Sequence, residues 1–307
     1  MKYIKRLFNM NSESKSFISI FISGCLWGTI GLYVKLMESA GSSAQYTSFI
    51  RLLFGLFLLT LMTIIFEGPK ALLIGKKTLI SCILLGTVSS GLYNILYSMS
   101  INTNGMAVAS VLLYTAPVFT AVSSLILFRE NISGAKWLAL LVNILGCSLT
   151  ATGGDLGSTH IVLSGVLIGI GAGFGYGMSA VFGRIAMEEK SSPYAVAAYN
   201  MLFGTLFVVL TSHPWATVTD PFNTKILLYG FLYALIPTAL AYVFYFKALS
   251  KIKQISKVPV IASVELIVAT LIGTFVFGET IRAGNITGVV LVLLSILLFS
   301  RQDKTPL

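Results

Sequence analysis

Charged residues are scarce in this chain. Asp, Glu, Lys and Arg together make up 10% of its 307 residues, whereas 56% of the residues are hydrophobic. The mean hydropathy is +0.88. Soluble domains normally carry about 25% charged residues, which form their water-exposed surface. This composition therefore excludes an ordinary soluble protein and indicates a protein embedded in a membrane.

Cysteine and histidine are scarce as well. The three cysteines, Cys25, Cys82 and Cys147, all lie in apolar stretches. An odd, dispersed set does not form a disulfide framework, so we interpret them as small packing residues. His160 and His213 are isolated, and neither a CxxC nor an HExxH pattern occurs. The sequence predicts no metal site and no cofactor.

Long apolar segments account for most of the chain. A helix needs about 20 apolar residues to cross the hydrocarbon core of a bilayer. The candidate segments are 17–36, 44–66, 78–99, 106–128, 135–152, 161–183, 193–212, 226–247, 256–277 and 284–300. No small-residue cleavage site follows the first segment, so we predict that it is retained as a helix. The sequence predicts an all-α integral membrane protein with ten transmembrane helices in the lipid bilayer.

The formal net charge of +10 is distributed unevenly. With ten spans, both termini lie on one face of the membrane, and that face collects seventeen of the Lys and Arg residues. The other face carries only Lys35, Lys225 and Arg282. Because positively charged loops stay in the cytoplasm, we predict a multi-pass protein of the cell (inner) membrane with both termini cytoplasmic. This distribution explains the basic residues without a nucleic-acid partner.

The two halves of the sequence resemble each other at a fixed offset of 149 residues. The aligned pairs include Gly24 and Gly173, Trp27 and Tyr176, Gly28 and Gly177, Phe54 and Phe203, Tyr93 and Tyr242, Phe128 and Phe277, and Glu130 and Glu279. One offset that holds across five spans without a gap is hard to obtain by chance. Two residues related by this offset are called mirror positions below.

Each copy of the repeat contains an odd number of spans, so the second copy is inverted relative to the first. Inverted repeats are common in secondary transporters, in which two halves rearrange around one central site. We predict five-helix repeats at 17–152 and 161–300, with cytoplasmic segments at 1–16 and 301–307. From this pattern, transport is the leading interpretation of function.

Glycines spaced by four residues form a ridge on the sixth span, at Gly165, Gly169, Gly173 and Gly177. Small residues at this spacing let helix backbones approach each other closely. The string GIGAGFGYG does not match the nucleotide-binding pattern GxGxxG, and no strand precedes it. We therefore interpret the ridge as a helix-packing face.

Four stretches of the chain resemble the drug/metabolite transporter superfamily, specifically its ten-helix EamA-like members. They are GCLWGTIGLYVK in the first span, SFIRLLFGLFLL in the second, LLYTAPVFTAVSSLILFRE in the fourth and ASVELIVATLIGTFVFGE in the ninth. The resemblance implies two inverted five-helix halves around a central cavity, with the fifth and tenth helices peripheral. It also implies export or exchange of small metabolites, amino acids being a frequent class. One departure is Glu265-Leu266, where the family often has Glu-Pro.

Two charged residues lie well inside predicted spans. Arg51 and Glu265 would each cost on the order of 3 kcal/mol if they faced lipid. For Arg51 the alternatives are snorkelling, a structural pair, or an anchor for an anionic substrate group. Glu265 is either a structural hydrogen-bonding group, a partner for a substrate ammonium, or a proton carrier, since a low-dielectric site favours a protonated carboxyl group. The sequence leaves open whether the two side chains contact a substrate or each other.

Polar and aromatic residues inside the spans complete the candidate substrate site. We predict that the following residues bind substrate or support coupling together with Arg51 and Glu265: Trp27, Tyr93, Asn94, Tyr97, Tyr114, Tyr176, Asn200 and Tyr242. Aromatic rings can pack on an apolar side chain or hold an ammonium group by cation–π attraction. Asn200 occupies the mirror position of Arg51, so the polar character recurs but the charge does not.

Two further sets of residues mark the ends and bends of the predicted helices. Glu130 and Glu279 end the fourth and ninth spans, where we predict polar contacts in the loops. Within helices, proline leaves backbone carbonyls that protein or water must satisfy. Prolines at 117, 237 and 259 are therefore candidate bending points.

The sequence thus predicts a secondary transporter, an exporter or exchanger working by alternating access, rather than an enzyme. The predicted substrates are amino acids or related small zwitterions, with protons as a candidate coupling ion. The alternative substrate class is organic cations, bound in an aromatic cage. A membrane-embedded enzyme is disfavoured because no nucleophile–base or metal constellation is found. A receptor is disfavoured because the loops are too short for a signalling domain. The sequence does not determine the oligomeric state.

Overall fold

A computed structural model describes residues 12–155 and 161–301, with the side chains of the last two residues excepted. His160, most of the predicted N-terminal segment and all but the first residue of the predicted tail lie outside these ranges. The described residues form helices joined by short loops, without a strand in that part of the chain.

The helices follow one another along the chain with few interruptions. They are α1 (Ser12–Trp27), α2 (Ile30–Ser39), α3 (Ala44–Glu67), α4 (Lys76–Gly86), α5 (Tyr93–Leu113), α6 (Ala116–Leu127), α7 (Gly134–Thr152), α8 (Leu163–Met187), α9 (Pro193–Ser212), α10 (Thr224–Ala234), α11 (Ala241–Leu249), α12 (Lys257–Ala262), α13 (Val264–Phe277) and α14 (Ala283–Arg301). π-Helical turns at Thr87–Leu92 and Leu235–Leu240 join α4 to α5 and α10 to α11.

The described helices account for the ten predicted spans. Eight helical stretches are long and apolar enough to cross a membrane, judged by length and composition. One of them, Lys76–Leu113, contains Gly105, whose φ of 79° lies in the left-handed region that favours glycine. This break separates the third span from the fourth, which continues through α6, and α14 forms the tenth. The prediction of ten spans is confirmed, and their ends agree within five residues.

The repeat is visible in the irregularities of the backbone. The two π-helical turns lie in the third and eighth spans at positions that correspond to within one residue. The fourth span bends at Tyr114, between α5 and α6, and the ninth bends at Ser263, its mirror position. Each predicted bending proline lies in or within four residues of one of these irregularities. Pro117 directly follows the bend in its span and Pro237 lies inside a π-helical turn, where the missing proline N–H removes a helical hydrogen bond.

The glycine ridge of the sixth span is a helix-packing face, as predicted, and glycines of the first span pack in the same way. A Cβ atom on Gly28 of the first span would lie 2.6 Å from the carbonyl oxygen of Glu265 in the ninth. A Cβ atom on Gly177 of the sixth span would lie 2.5 Å from the carbonyl oxygen of Ala116 in the fourth. Only glycine permits these two mirror-related approaches, which bring the backbones of the fourth and ninth spans against a neighbouring span.

Hydrophobic packing is unequal at the two ends of the bundle. We call the end that carries Arg129 and Lys251 the inner end, and the end that carries Lys35 and Lys225 the outer end. The largest buried cluster lies toward the inner end and includes Leu59, Met187, Leu249 and Ile255. The outer cluster is small: it consists of Met37, Tyr46, Ile50 and Ile226. The fifth and tenth spans pack mainly on each other.

Candidate functional site

A cavity of about 260 Å³ lies among six of the spans near the middle of the bundle, with Arg51 of a seventh reaching its wall. It is lined by Trp27, Gly28, Ile30, Gly31, Arg51, Ser89, Tyr93, Leu113, Tyr114, Tyr176, Ser179, Tyr242, Tyr245, Glu265, Leu266 and Ala269. Ligand pockets in proteins usually measure about 300–1,000 Å³. The central cavity therefore suits a small metabolite better than a drug-sized molecule.

Tyrosines hold Arg51 at the wall of this cavity. Its Nη1 donates a hydrogen bond to Oη of Tyr233 at 3.2 Å. The centre of the guanidinium lies 5.3 Å from the centroid of the same ring, and that ring stacks on Tyr33 with centroids 5.8 Å apart. Nε of Arg51 is buried and has no partner among the described residues. The guanidinium is thus held in place with hydrogen-bonding capacity left unused.

Glu265 lies in the first turn of α13, directly after the bend at Ser263. The hydroxyl of Tyr176 donates to its carboxylate, at 3.1 Å from Oε1 and 3.3 Å from Oε2. The described ion pairs, at N–O distances up to 4.0 Å, include neither Glu265 nor Arg51. Two opposite charges therefore share one cavity without pairing with each other.

Two mirror-related aromatic pairs line the cavity. The rings of Trp27 and Tyr242 lie 5.4 Å apart, and those of Tyr93 and Tyr176 lie 5.7 Å apart. Each pair joins two spans. The two pairs are related by the 149-residue offset, because Tyr176 is the mirror position of Trp27 and Tyr242 is the mirror position of Tyr93. Tyr245 extends the first pair, with its ring 5.0 Å from Trp27. The aromatic lining follows the pseudo-symmetry of the fold.

The charges break that pseudo-symmetry. Asn200, the mirror position of Arg51, is buried outside the cavity lining and accepts a hydrogen bond from Oγ of Ser90 at 3.0 Å. Ala116, the mirror position of Glu265, is a buried helix residue. A symmetric aromatic frame thus carries one cation and one carboxylate, which suits a ligand whose two ends differ.

The structure places three of the predicted site residues outside the central cavity. In addition to Asn200, these are Asn94 and Tyr97. Asn94 lines a second cavity of about 350 Å³ toward the outer end, which shares Arg51 with the central one. Tyr97 shares a hydrogen bond with Ser110 at 3.0 Å and does not reach the central lining. The other predicted site residues all line the central cavity.

Four residues of the site were not predicted from the sequence: Tyr233, Tyr245, Ser89 and Ser179. Tyr233 precedes Tyr242 by nine residues, and in an uninterrupted helix of about 3.6 residues per turn the two would lie on opposite faces. The π-helical turn between them adds a residue to one turn and brings Tyr233 to Arg51. Prolines such as Pro237 signal an irregularity, but they do not give the resulting rotation. No group of three or more His, Cys, Asp or Glu within the described ranges could hold a metal ion.

Comparison with known proteins agrees with this architecture. An uncharacterized transporter of Archaeoglobus fulgidus is 26% identical over 92% of this chain and 96% of its own length. The uncharacterized inner membrane transporter YicL of Salmonella typhimurium is 25% identical, over 96% and 98% of the two chains. The uncharacterized transporter YwfM of Bacillus subtilis is also 25% identical, over 93% and 95%.

A solved crystal structure has the same fold, with a TM-score of 0.80 over 96% of this chain and 98% of its own at 14% sequence identity. The profile of the EamA-like transporter family matches twice, at residues 14–152 and at residues 163–301. The two matches correspond to the two halves related by the sequence offset. This chain belongs to the EamA-like transporter family, and it is a multi-pass membrane protein that transports a small molecule.

Proposed function

We propose that this protein transports amino acids or related small zwitterions by alternating access. The observation that carries this proposal is that Arg51 and Glu265 line one small cavity and do not pair with each other. Burying two opposite charges separately is costly unless each finds a partner. A ligand with a carboxylate at one end and an ammonium at the other would satisfy both.

Arg51 suits the carboxylate end of such a ligand. A guanidinium presents donors in a planar fork that can bind both oxygens of a carboxylate. Tyr233 takes up one donor of Arg51 and leaves Nε without a partner in the described structure. The stack of Tyr233 on Tyr33 restrains the guanidinium before the ligand arrives, so less conformational entropy is lost on binding.

Glu265 suits the ammonium end, or it carries a proton during the transport cycle. The hydrogen bond from Tyr176 orients its carboxylate toward the cavity and leaves further acceptor positions free. The aromatic walls then contact the aliphatic or aromatic part of the ligand. In this arrangement Arg51 and Glu265 select the charged groups, and cavity size limits the side chain.

A second candidate function is transport of organic cations. Trp27, Tyr242 and Tyr245 form a compact aromatic cluster on one wall, with Glu265 lining the same cavity. Ring faces and a carboxylate are the groups that recognise quaternary ammonium ligands. In this alternative Arg51 has a structural role.

A thermal-shift panel on the purified protein separates the two candidates. We expect amino acids to raise the melting temperature more than the corresponding amines and more than quaternary ammonium compounds, because only the zwitterion satisfies both charges. If quaternary ammonium compounds stabilise the protein while amino acids do not, the organic-cation function replaces the zwitterion proposal.

We further propose that the protein lies in the inner membrane with both termini in the cytoplasm. The unequal distribution of basic residues supports this orientation, and the relative YicL is named as an inner membrane transporter. In a variant without Cys25, Cys82 and Cys147, a cysteine at the exposed Thr219 should react with an impermeant maleimide from outside the cell. A cysteine at the exposed Lys251 should react only after the membrane is opened. Labelling of both sites from the same side would refute the ten-span topology.

A further inference from the structure

Glu130 and Glu279 occupy mirror positions at opposite ends of the bundle. Glu130 follows the fourth span at the inner end, and Glu279 follows the ninth at the outer end. Their backbones are held in the same way. The N–H of Glu130 donates to the carbonyl of Ser124 at 3.3 Å, and the N–H of Glu279 donates to the carbonyl of Gly273, the mirror position of Ser124, at 3.0 Å. The predicted helix-end contacts are therefore present, and the two carboxylates start from equivalent positions.

At the inner end, the side chain of Glu130 binds the backbone between the eighth and ninth spans. Its Oε1 accepts from the N–H of Ile255 at 2.5 Å, and its Oε2 accepts from the N–H of Ser256 at 3.2 Å. Arg184, at the inner end of the sixth span, donates through Nη1 to the carbonyl of Leu249 at 2.6 Å. These contacts join the fourth and sixth spans to the end of the eighth span and to the connection that precedes the ninth, and we call them the inner clamp.

At the outer end, the mirror side chains have different partners. Glu279 forms an ion pair with Lys35 at 2.6 Å, and Nζ of Lys35 lies 4.1 Å from the ring of Phe277. Lys35 is the mirror position of Arg184. At the inner end, Glu130 and Arg184 bind separate backbone groups. At the outer end, their mirror residues Glu279 and Lys35 bind each other.

The residues that donate to the inner clamp are also more buried than their mirror residues at the outer end. Ile255, which donates to Glu130, is 1% exposed and belongs to the inner hydrophobic cluster. Met106, its mirror position at the outer end, is 67% exposed. The inner clamp thus accompanies buried residues at the inner end, whereas the corresponding outer contacts are absent from the described part of the chain.

We infer that Glu130 and Glu279 act as alternating gate residues of the transport cycle. When the transporter changes state, Glu279 leaves Lys35 and accepts hydrogen bonds from the N–H groups of Met106 and Ala107, the mirror positions of Ile255 and Ser256. Met106 and Ala107 directly follow the break at Gly105, so their N–H groups begin a helix and have no partner within it. Glu130 then releases the inner backbone and pairs with Arg184.

The exchange keeps the type of contact made by the two carboxylates equal in the two states. Each state has one carboxylate that binds backbone N–H groups and one that forms an ion pair. States that differ little in free energy are both populated, as a transporter requires. The inference rests on alternating access, but not on the identity of the substrate.

Two isosteric substitutions should shift the conformational equilibrium in opposite directions. Ser256→Cys places a reporter thiol at a position that is 1% exposed at the inner end, and Met106→Cys places one at the exposed outer position. Glu130→Gln removes the charge of the side chain that accepts hydrogen bonds from Ile255 and Ser256, so it weakens the two bonds that hold the inner end. We expect it to raise the rate at which maleimide labels Ser256→Cys by about tenfold and to slow the labelling of Met106→Cys. Glu279→Gln should do the reverse.

The measurement uses purified full-length protein without its native cysteines and needs no ligand. Glu188→Gln is the matched control, because Glu188 pairs with Lys77 at the inner end but is not part of the inner clamp. It should change neither labelling rate. If Glu130→Gln and Glu279→Gln shift both reporters in the same direction, or leave both unchanged while the protein stays folded, the gate assignment is wrong. A substrate that is not a zwitterion would not affect this result, so the two proposals fail separately.

Discussion

Glu265→Gln is expected to abolish proton-linked transport or substrate binding while the protein still inserts and purifies as a folded species. Within the described chain, Glu265 is the carboxylate that lines the central cavity. Glutamine has the same shape and can still accept the hydrogen bond from Tyr176, so packing of the site should be conserved. It can neither carry a proton nor balance the charge of an ammonium group, and the loss of function should follow from that difference alone.

Transport rates in proteoliposomes across the pH range, together with thermal stability, measure this prediction. Glu67→Gln is a suitable control, because Glu67 is an exposed carboxylate at the end of α3, far along the helix from the cavity. It should transport at the wild-type rate. Wild-type rates for Glu265→Gln at every pH would remove Glu265 from both coupling and substrate recognition.

Arg51→Lys is expected to weaken amino-acid binding by roughly 1–3 kcal/mol, the scale of a hydrogen bond between charged groups. Lysine conserves the charge but lacks the planar fork that can grip a carboxylate, and it cannot stack on Tyr233 in the same way. The decarboxylated amines have no group for Arg51 to bind. Their affinity for the variant should therefore stay close to their affinity for the wild type.

Affinities of both ligand classes, measured on the same purified variant, test the role of Arg51. A structural role would lower both affinities together, or it would lower the melting temperature instead. Equal losses for an amino acid and its decarboxylated amine would reject Arg51 as the carboxylate anchor. Tyr233→Phe should lower amino-acid affinity by an amount between zero and the loss in Arg51→Lys, because it removes the hydroxyl that accepts from Nη1 of Arg51 and retains the ring.

Hydrophobic segments and the sequence offset were sufficient to predict the spans and the inverted repeat. The reason is physical: a helix in lipid must be long and apolar, so its signal in the sequence is strong. The offset also identified the pairs Trp27 with Tyr176 and Tyr93 with Tyr242. In the structure, Trp27 contacts Tyr242 and Tyr93 contacts Tyr176, so both contacts cross the interface between the two halves.

Rotation around helix axes was not predictable from the sequence. Tyr233 reaches Arg51 because a π-helical turn changes the register of the eighth span. Asn94 faces the outer cavity two residues beyond the corresponding turn in the third span. Asn200 shares polarity with Arg51 at its mirror position, yet its amide oxygen accepts from Ser90 outside the central lining. The offset relates backbone positions, whereas side-chain partners depend on residues that differ between the halves.

Counterflow in proteoliposomes tests the central claim, transport of zwitterions, most directly. Vesicles that contain the purified wild-type protein are loaded with one unlabelled amino acid, and uptake of the same labelled amino acid is followed. The proposed function predicts rapid transient accumulation that the decarboxylated amine, loaded instead, does not support. Equal stimulation by the amine, or no accumulation for any amino acid while an organic cation exchanges, would contradict it.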